Sequence, residues 1–319
     1  MERQSSAEQR EAAAERARMR ERPTAARADM WASIIRLDRQ SPYGLQGDAQ
    51  RQVHAAFLRW LQEADSKLTD ALHKPHMLRP YTLAILPERR GQHPGENRWG
   101  QLLLRCTLLH RWIFEAFAER TLMGNREEWR IKDTRFAWAA MTLTPEETGW
   151  SGWASFDWLL ETAKPVASLR LEFVTPTAFS FGDVQIEAPV ETREQEVAEE
   201  RRFVERKRMA LFPEPELVWQ SWVQRWNAFC PDGYVLAASA VVKAAQRVLV
   251  ADYGLRTATL DYGRFPQKGF TGWVRYDLTQ VGDDERRILK MLAAFAFYGG
   301  TGYKTAQGMG QTRSLDDET

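Results

Sequence analysis

The pattern of apolar and polar positions divides the first half of the chain into strands and helices. The run from Trp31 to Leu37 is typical of a strand, and residues 48–68 carry apolar side chains at helical spacing after Asp48, a suitable N-cap. Further strands are predicted at 81–86, 100–107 and 135–142, and a second helix at 111–121. This order, β-α-β-β-α-β, is that of the ferredoxin-like split unit.

The second half can be interpreted in the same order. Residues 169–174 alternate as a half-buried strand does, and another strand is predicted at 269–276. Helices are predicted at 215–229 and 283–298, a charge-dense inserted helix at 191–208, and residues 236–250 have no periodicity that decides their type. The expected fold class is therefore α+β, with two tandem ferredoxin-like domains of the β-α-β-β-α-β type and a C-terminal glycine-rich loop.

The same pattern predicts where the domains begin and end. Residues 1–28 contain Glu, Arg, Ala and Gln with almost no large apolar group, so we expect a disordered charged extension, or alternatively a partner-binding arm. The segment at 163–165 marks the boundary between an N-terminal domain at 29–165 and a C-terminal domain at 166–319. The glycine-rich loop at 299–311 belongs to the second domain.

Composition narrows the class of protein. A length of 319 residues with 44% hydrophobic residues supports real cores and excludes disorder for most of the chain. The 44 Lys and Arg balance 43 Asp and Glu, so bulk charge neither supports nor excludes a nucleic-acid partner. Cys106 and Cys230 lack the spacing of a zinc site. With no apolar run of membrane-spanning length and no visible signal peptide, we expect a cytoplasmic protein without a membrane partner.

Residues 299–311 are the most informative segment. Five glycines in twelve residues favour positive φ or close approach to a ligand, and successive N–H groups could cradle phosphate oxygens beside Lys304 and Arg313. A dinucleotide fingerprint does not fit, because the helix precedes the glycines, and a Walker loop does not fit, because no glycine immediately precedes Lys304. The structural alternative is a tight helix-to-strand connection with Gly299 as C-cap.

The segment from Phe295 to Arg313 closely resembles the C-terminal motif of the sixth family of Cas proteins, the CRISPR repeat-processing endoribonucleases of the RAMP superfamily. Other segments are similar to that family in the same order: 47–61, 79–83, 171–179, 213–229 and 263–272. The resemblance covers about residues 30–313. It implies tandem ferredoxin-like domains, a glycine-rich loop in contact with RNA, and cleavage without metal or cofactor. The N-terminal arm and the stretch 191–208 depart from the family pattern.

The implied activity is metal-independent cleavage of precursor CRISPR RNA within the repeat, with the ribose 2′-OH as nucleophile. Such cleavage needs an acid and a base, and histidine suits either role because its ordinary pKa lies near neutrality. His54 is the best candidate, because the family commonly places its catalytic histidine on or near the first helix. Arg51, one turn earlier, could reach the same phosphate. Tyr43 is a second catalytic candidate, because some relatives carry a tyrosine in this loop.

The remaining candidates are alternatives or binding residues. His73 and His76 follow the first helix and could replace His54, His93 lies in a predicted turn, and His110 is expected to cap a helix. The residues expected to contact RNA are Gly300, Gly302, Lys304, Thr305, Gly308, Gly310, Arg313, Arg264, Lys268 and Arg51.

Two other functions stay open. One is a catalytically inactive subunit that holds CRISPR repeat RNA within an effector complex, with other Cas proteins as partners. The other is a nucleotide-binding enzyme that uses the glycine-rich loop.

Overall fold

The computed structural model describes residues 21–45, 47–64, 78–87, 100–123, 128–187, 203–263 and 266–315. The N-terminal part contains strands β1 (Met30–Arg39), β2 (Tyr81–Ile85), β3 (Gln101–Leu108), β4 (Trp129–Ile131), β5 (Thr134–Thr142) and β6 (Gly152–Ala154). Its helices are α1 (Ala49–Ala64), α2 (Arg111–Met123), α3 (Pro145–Thr148) and α4 (Phe156–Thr162).

The first sheet has the strand order β2-β3-β1-β5-β4, and β6 pairs with β1. All of its pairs are antiparallel. Helices α1 and α2 supply Phe57 and Phe117 to a core with Trp31, Ile35 and the apolar positions of β2 and β3. Burying one apolar stripe of each helix against the sheet stabilises both layers, since hydrophobic burial contributes about 25 cal/mol per Å².

The C-terminal part repeats this arrangement. Its strands are β7 (Ser168–Thr177), β8 (Phe179–Glu187), β9 (Phe203–Ala210), β10 (Leu249–Leu260), β11 (Gln267–Asp277) and β12 (Thr312–Ser314), and its helices are α5 (Pro215–Phe229), α6 (Ala238–Ala245) and α7 (Asp283–Gly299). The second sheet has the order β10-β11-β7-β12, while β8 and β9 form a separate hairpin. Two antiparallel sheets with β-α-β-β-α-β order confirm the predicted fold class.

Helix α5 anchors the second core with three tryptophans. Trp219, Trp222 and Trp226 are fully buried, and each indole N–H finds an acceptor within 3.0 Å: the Leu289 carbonyl, the Thr301 hydroxyl and the Tyr234 carbonyl respectively. Buried indoles of this kind contribute large apolar area without leaving an unpaired donor.

The second core crosses the predicted domain boundary at 163–165. Phe156 and Leu159 of α4 pack in it, together with Met30 and Ala32 of β1. The two parts therefore share buried surface, and the boundary itself stays a prediction.

Two predictions about single elements need correction. Residues 188–202 lie outside the described residues, but residues 203–210 form strand β9 rather than the end of a helix at 191–208. Strand β9 pairs antiparallel with β8, so the backbone groups that face β8 are bonded whatever side chains the strand carries. The undecided stretch at 236–250 divides into α6 and the start of β10.

The last residues of the N-terminal arm adopt a defined structure, although disorder was predicted for residues 1–28. Residues 1–20 lie outside the described part of the chain, but residues 23–28 pack against the first sheet. The Trp153 indole donates to the Pro23 carbonyl at 2.6 Å, the Trp31 indole to the Ala25 carbonyl at 3.0 Å, and Arg111 to the Ala28 carbonyl at 2.9 Å. Disorder was therefore wrong for this part. Among the described helices, none has the length and apolar character that crossing a bilayer requires.

Buried Arg105 on β3 joins the two parts of the chain. Its guanidinium donates to the Trp150 carbonyl at 2.9 Å, the Gln311 amide oxygen at 2.5 Å and the Phe297 carbonyl at 2.6 Å. Burial lowers the pKa of Arg105 to about 9, so the side chain is still a cation at neutral pH. The Phe297 carbonyl belongs to the last turn of α7, where a cation meets the negative end of the helix dipole.

We expect Arg105→Leu to lower the free energy of unfolding by about 3 kcal/mol or more, because buried Gln311 and two partly buried carbonyls lose their donor. The control is Arg130→Leu on β4, whose side chain is exposed, and we expect a change within about 0.5 kcal/mol. Urea denaturation followed by circular dichroism measures both. Equal stability of the two variants would contradict a joining role for Arg105.

Candidate functional site

Helix α1 places His54 against the first residue of β2. The His54 Nε2 atom lies 2.9 Å from the Tyr81 hydroxyl, and the imidazole is half-buried. Tyr81 is 1% exposed, and burial raises its pKa above the ordinary value for a phenol. Tyr81 is therefore neutral at physiological pH, so its hydroxyl can donate to a neutral imidazole or accept from a protonated one. The contact fixes one ring nitrogen of His54.

Arg79 lies two residues before Tyr81 in the chain. Burial raises the pKa of Tyr81, and the positive charge of Arg79 lowers it by a smaller amount. The Arg79 carbonyl also accepts from buried Arg225 at 3.3 Å. The sequence did not identify Arg79 or Tyr81 as site residues. Residues 79–83 are similar to the family, but the similarity alone assigns no chemical role to either side chain. The available signal was a cation and a phenol flanking Pro80 at the start of a strand.

Gln50, one turn before His54, fixes α1 to β2. Its side-chain oxygen accepts from the Ile85 N–H at 2.8 Å, and its amide donates to the Leu83 carbonyl at 3.3 Å. Residues four apart share a helix face, so the two hydrogen bonds of Gln50 and the contact of His54 with Tyr81 hold the same side of α1 against the same strand. The histidine is thereby positioned by two independent contacts.

The glycine-rich loop packs against Gln50. Its 3-10 turn at Thr305–Gln307 is followed by Gly308, where φ is +100°. A Cβ atom at Gly308 would lie 2.2 Å from the Gln50 Cγ atom, so only glycine fits there. Ala306 joins the N-terminal core. The loop is therefore pressed against the helix that carries His54.

The predicted phosphate cradle is wrong for three of the loop N–H groups. Gly300 donates to the Ala296 carbonyl at 2.8 Å, Gly310 to the Pro176 carbonyl at 3.0 Å, and Gly302 to the Ser221 hydroxyl at 3.3 Å. These donors are used within the protein. Gly302 is required for another reason: φ is +74°, and a Cβ atom there would lie 2.3 Å from the Ala178 carbonyl oxygen.

Thr305 is also a packing residue. It is 2% exposed, and its methyl group lies 3.0 Å from where Cβ atoms at Gly300 and Gly310 would stand. The glycines and Thr305 therefore shape the loop as a tight connection, the structural alternative considered from the sequence. The outer surface of the loop consists of residues 302–304 and 307, which are partly exposed, while its other residues are buried.

Lys304 is the loop cation that the structure brings toward that surface. It is half-buried and has φ of +53°, an uncommon conformation for a residue with a side chain. Its ammonium group lies 4.7 Å from the centre of the Tyr262 ring and 5.4 Å from that of Tyr303. The hydroxyl of Tyr262 donates to the Gln307 carbonyl. Two aromatic faces thus hold Lys304 in place.

Arg51 lies on the exposed side of α1. Its guanidinium pairs with Asp48 at 2.6 Å, and the Arg51 side chain is 62% exposed. Asp48 is buried, so the pair holds the guanidinium at the start of α1, and the exposed part of Arg51 is left to meet a phosphate. Arg51 therefore stays a candidate for RNA contact.

Three other predicted residues differ in their surroundings. Tyr43 is 80% exposed, and the tyrosine paired with His54 is Tyr81 instead. Arg313 pairs with Glu172 at 2.8 Å and is 18% exposed, which gives it a packing role. Lys268 is exposed on β11 and stays a prediction.

The remaining candidates divide into two groups. His73, His76, His93 and Arg264 lie outside the described residues. His110 caps α2 through its backbone carbonyl, which accepts from Ile113 and Phe114, and burial lowers the pKa of its ring. In the described ranges, no group of three His, Cys, Asp or Glu side chains is arranged to hold a metal ion.

Comparisons with known proteins bear on both the fold and the loop. The model of the family "CRISPR-associated endoribonuclease Cas6" matches residues 171–312, which include the glycine-rich loop. Among curated proteins, none matches the chain.

Solved structures match nearly the whole chain. The product complex of the Cas6 protein TTHB231, a Thermus thermophilus protein, is 26% identical with a TM-score of 0.73, covering 90% of this chain and 100% of that one. The product complex of the Cas6 protein TTHA0078 is 24% identical with a TM-score of 0.65, covering 89% and 98%. A Cas6-related protein from Pyrococcus furiosus is 14% identical with a TM-score of 0.55, covering 91% and 100%. The latter two support the fold.

We expect Gly308→Ala to lower the free energy of unfolding by about 2 kcal/mol. The added methyl group clashes with the hydrogen-bonded side chain of Gln50, and the φ angle at this position is unfavourable for alanine. The matched control is Gly233→Ala, where nothing lies within 4 Å of the new methyl group. Thermal unfolding measures both variants. If the two substitutions shift the melting temperature equally, the loop is not held against α1 in the way described.

Proposed function

We propose that this chain, a member of the Cas6 family of CRISPR-associated endoribonucleases, binds CRISPR repeat RNA and cuts the precursor transcript within the repeat. The observation that carries the proposal is the pair formed by His54 and Tyr81, because His54 lies on the helix against which the glycine-rich loop docks. The loop lies within the region that the Cas6 family model matches, and the similar TTHB231 structure is a product complex. These findings support a role in RNA processing.

The proposed reaction is transesterification without a metal ion. A base removes the proton from the ribose 2′-OH, the 2′-oxygen attacks the adjacent phosphorus, and the bond from phosphorus to the 5′-oxygen breaks. An acid then protonates the leaving 5′-oxygen, so the products carry a 2′,3′-cyclic phosphate and a 5′-OH. His54 acts as the acid or the base, because imidazole exchanges protons near neutrality.

Cations around His54 stabilise the negative charge that develops on the phosphate. Arg79 precedes Tyr81 by two residues, and Arg51 lies one turn from His54 on the exposed side of α1. Lys304 belongs to the docked loop, and the rings of Tyr262 and Tyr303 hold its ammonium group. Preorganised charges of this kind contribute most when they are fixed before the reaction. Binding through phosphates also predicts an affinity for RNA that falls as salt rises.

Tyr81 is a positioning residue in this proposal. Its neutral hydroxyl holds the Nε2 side of the ring and limits rotation of the imidazole. It has no charge to offer the substrate, since burial raises its pKa. Its effect should therefore appear in the rate of cleavage and not in RNA affinity.

We expect the protein to cut cognate repeat RNA once in the presence of EDTA, leaving a 2′,3′-cyclic phosphate or 3′-phosphate and a 5′-OH. His54→Ala should slow this cut at least about 100-fold, because general acid–base catalysis contributes about 10²–10⁴-fold. Single-turnover gels with end-group analysis measure this, and His110→Ala is the control. Wild-type protein that binds the repeat tightly but leaves it intact would instead indicate an RNA-holding subunit.

We expect Tyr81→Phe to slow cleavage about tenfold with unchanged RNA affinity, which corresponds to the loss of one orienting hydrogen bond of about 1.4 kcal/mol. Tyr43→Phe is the matched control, because Tyr43 is exposed and is not the partner of His54. Single-turnover rates and filter-binding titrations separate the two effects. The positioning role is wrong if Tyr43→Phe is the slower variant.

A further inference from the structure

The last part of the N-terminal arm, residues 21–28, follows a fixed path over the first domain. Four of its backbone carbonyls accept hydrogen bonds of 2.6–3.0 Å, and the donors are the side chains of Trp153, Trp31 and Arg111. Because the acceptors are backbone groups, these bonds set the path of the arm whatever side chains it carries. The path brings Arg22 to the place where the two domains meet.

The Arg22 side chain bridges three elements. Its guanidinium donates a hydrogen bond to the Tyr298 hydroxyl in the last turn of α7. The same group lies over the Trp158 ring of α4, 5.3 Å from its centre. A Cβ atom at Gly152 of β6 would stand 3.7 Å from the Arg22 Nη2 atom, which is contact distance. One side chain of the arm therefore reaches β6, α4 and α7 together.

Tyr298 needs a partner of this kind. It is 3% exposed, and burial raises its pKa to about 12, so the hydroxyl stays protonated at neutral pH. A buried hydroxyl without a hydrogen bond is costly. Arg22 provides that bond while its own side chain stays exposed to water, so the cation is not desolvated in the process.

The turn that carries Tyr298 leads directly into the glycine-rich loop. Its backbone is already held by the first sheet, since Thr107 donates to the Tyr298 carbonyl at 2.7 Å and Arg105 donates to the Phe297 carbonyl at 2.6 Å. Arg22 holds the side chain of the same turn from the arm. Backbone and ring are thus restrained from different directions just before the chain enters the loop.

We propose that Arg22 is a positioning residue for RNA cleavage, which acts through Tyr298 on the end of α7 and so on the loop packed against α1. The inference rests on the proposed function, because it takes the loop and His54 to act on the same RNA. The resemblance to the Cas6 family begins at about residue 30. Arg22 therefore adds an anchor from outside the family pattern.

The test compares Arg22→Ala with Arg27→Ala, an exposed residue of the same arm. Arg22→Ala should slow single-turnover cleavage at saturating RNA about fivefold, the effect of one partly exposed hydrogen bond. RNA affinity should stay unchanged, because the cations expected to meet RNA are intact. Arg27→Ala should match wild type. Arg22→Lys should recover most of the rate, since an ammonium group can also donate to the hydroxyl and lie over Trp158.

A double-mutant cycle with Tyr298→Phe assigns the effect to the contact. Phenylalanine keeps the buried ring and removes only the hydroxyl, so Arg22→Ala should slow cleavage no further in that background. Hydrogen exchange over residues 299–311, measured by mass spectrometry without RNA, should be faster in Arg22→Ala than in Arg27→Ala. Circular dichroism checks that every variant is folded.

Equal cleavage rates for Arg22→Ala and Arg27→Ala overturn the proposal, and so do additive effects of Arg22→Ala and Tyr298→Phe. A weaker RNA affinity at an unchanged saturating rate would also overturn it, because Arg22 would then be an RNA contact. A wild type that leaves repeat RNA intact would refute the proposed function alone. The exchange rates of the loop then decide whether Arg22 holds it, since that measurement needs no cleavage.

Discussion

The buried guanidinium of Arg105 is the interaction on which the rest of the structure depends. It reaches from β3 of the first sheet to the last turn of α7 and to Gln311, two points that flank the glycine-rich loop. A buried cation is costly unless its donors are satisfied, and here three acceptors satisfy it. Thr107, two residues along β3, adds a bond to the Tyr298 carbonyl at 2.7 Å. Both ends of the loop are therefore fixed to the first sheet.

The site follows from this constraint. Because both ends of the loop are fixed, few backbone conformations can connect them. The positive φ at Gly308 lets the 3-10 turn of the loop lie against Gln50. Gln50 also connects α1 to β2, and β2 carries the phenol that orients His54. One continuous set of contacts thus extends from the second domain to the imidazole. The loop that carries Lys304 is therefore held against the helix that carries His54.

The sequence predicted the elements better than the contacts between them. The β-α-β-β-α-β order followed from periodicity, because each helix and strand buries one face locally. Strand β9 was missed because its charge-dense sequence has no apolar period, and its pairing with β8 is a long-range event. The glycines were recognised as important, but the reason was misjudged: they avoid clashes with Ala178 and Gln50. Tyr81 and Arg105 could not be identified, since apolar patterning says nothing about which buried polar groups meet.

The measurement that tests this account most directly is the single-turnover cleavage rate of Arg105→Lys at a temperature where the variant is folded. Lysine keeps a buried cation but cannot reach three acceptors at once, so the loop should lose its fixed position on α1. The account predicts slow cleavage although His54 and Tyr81 are unchanged. A wild-type rate in a variant with loosened domains would contradict the claim that docking of the two domains assembles the site.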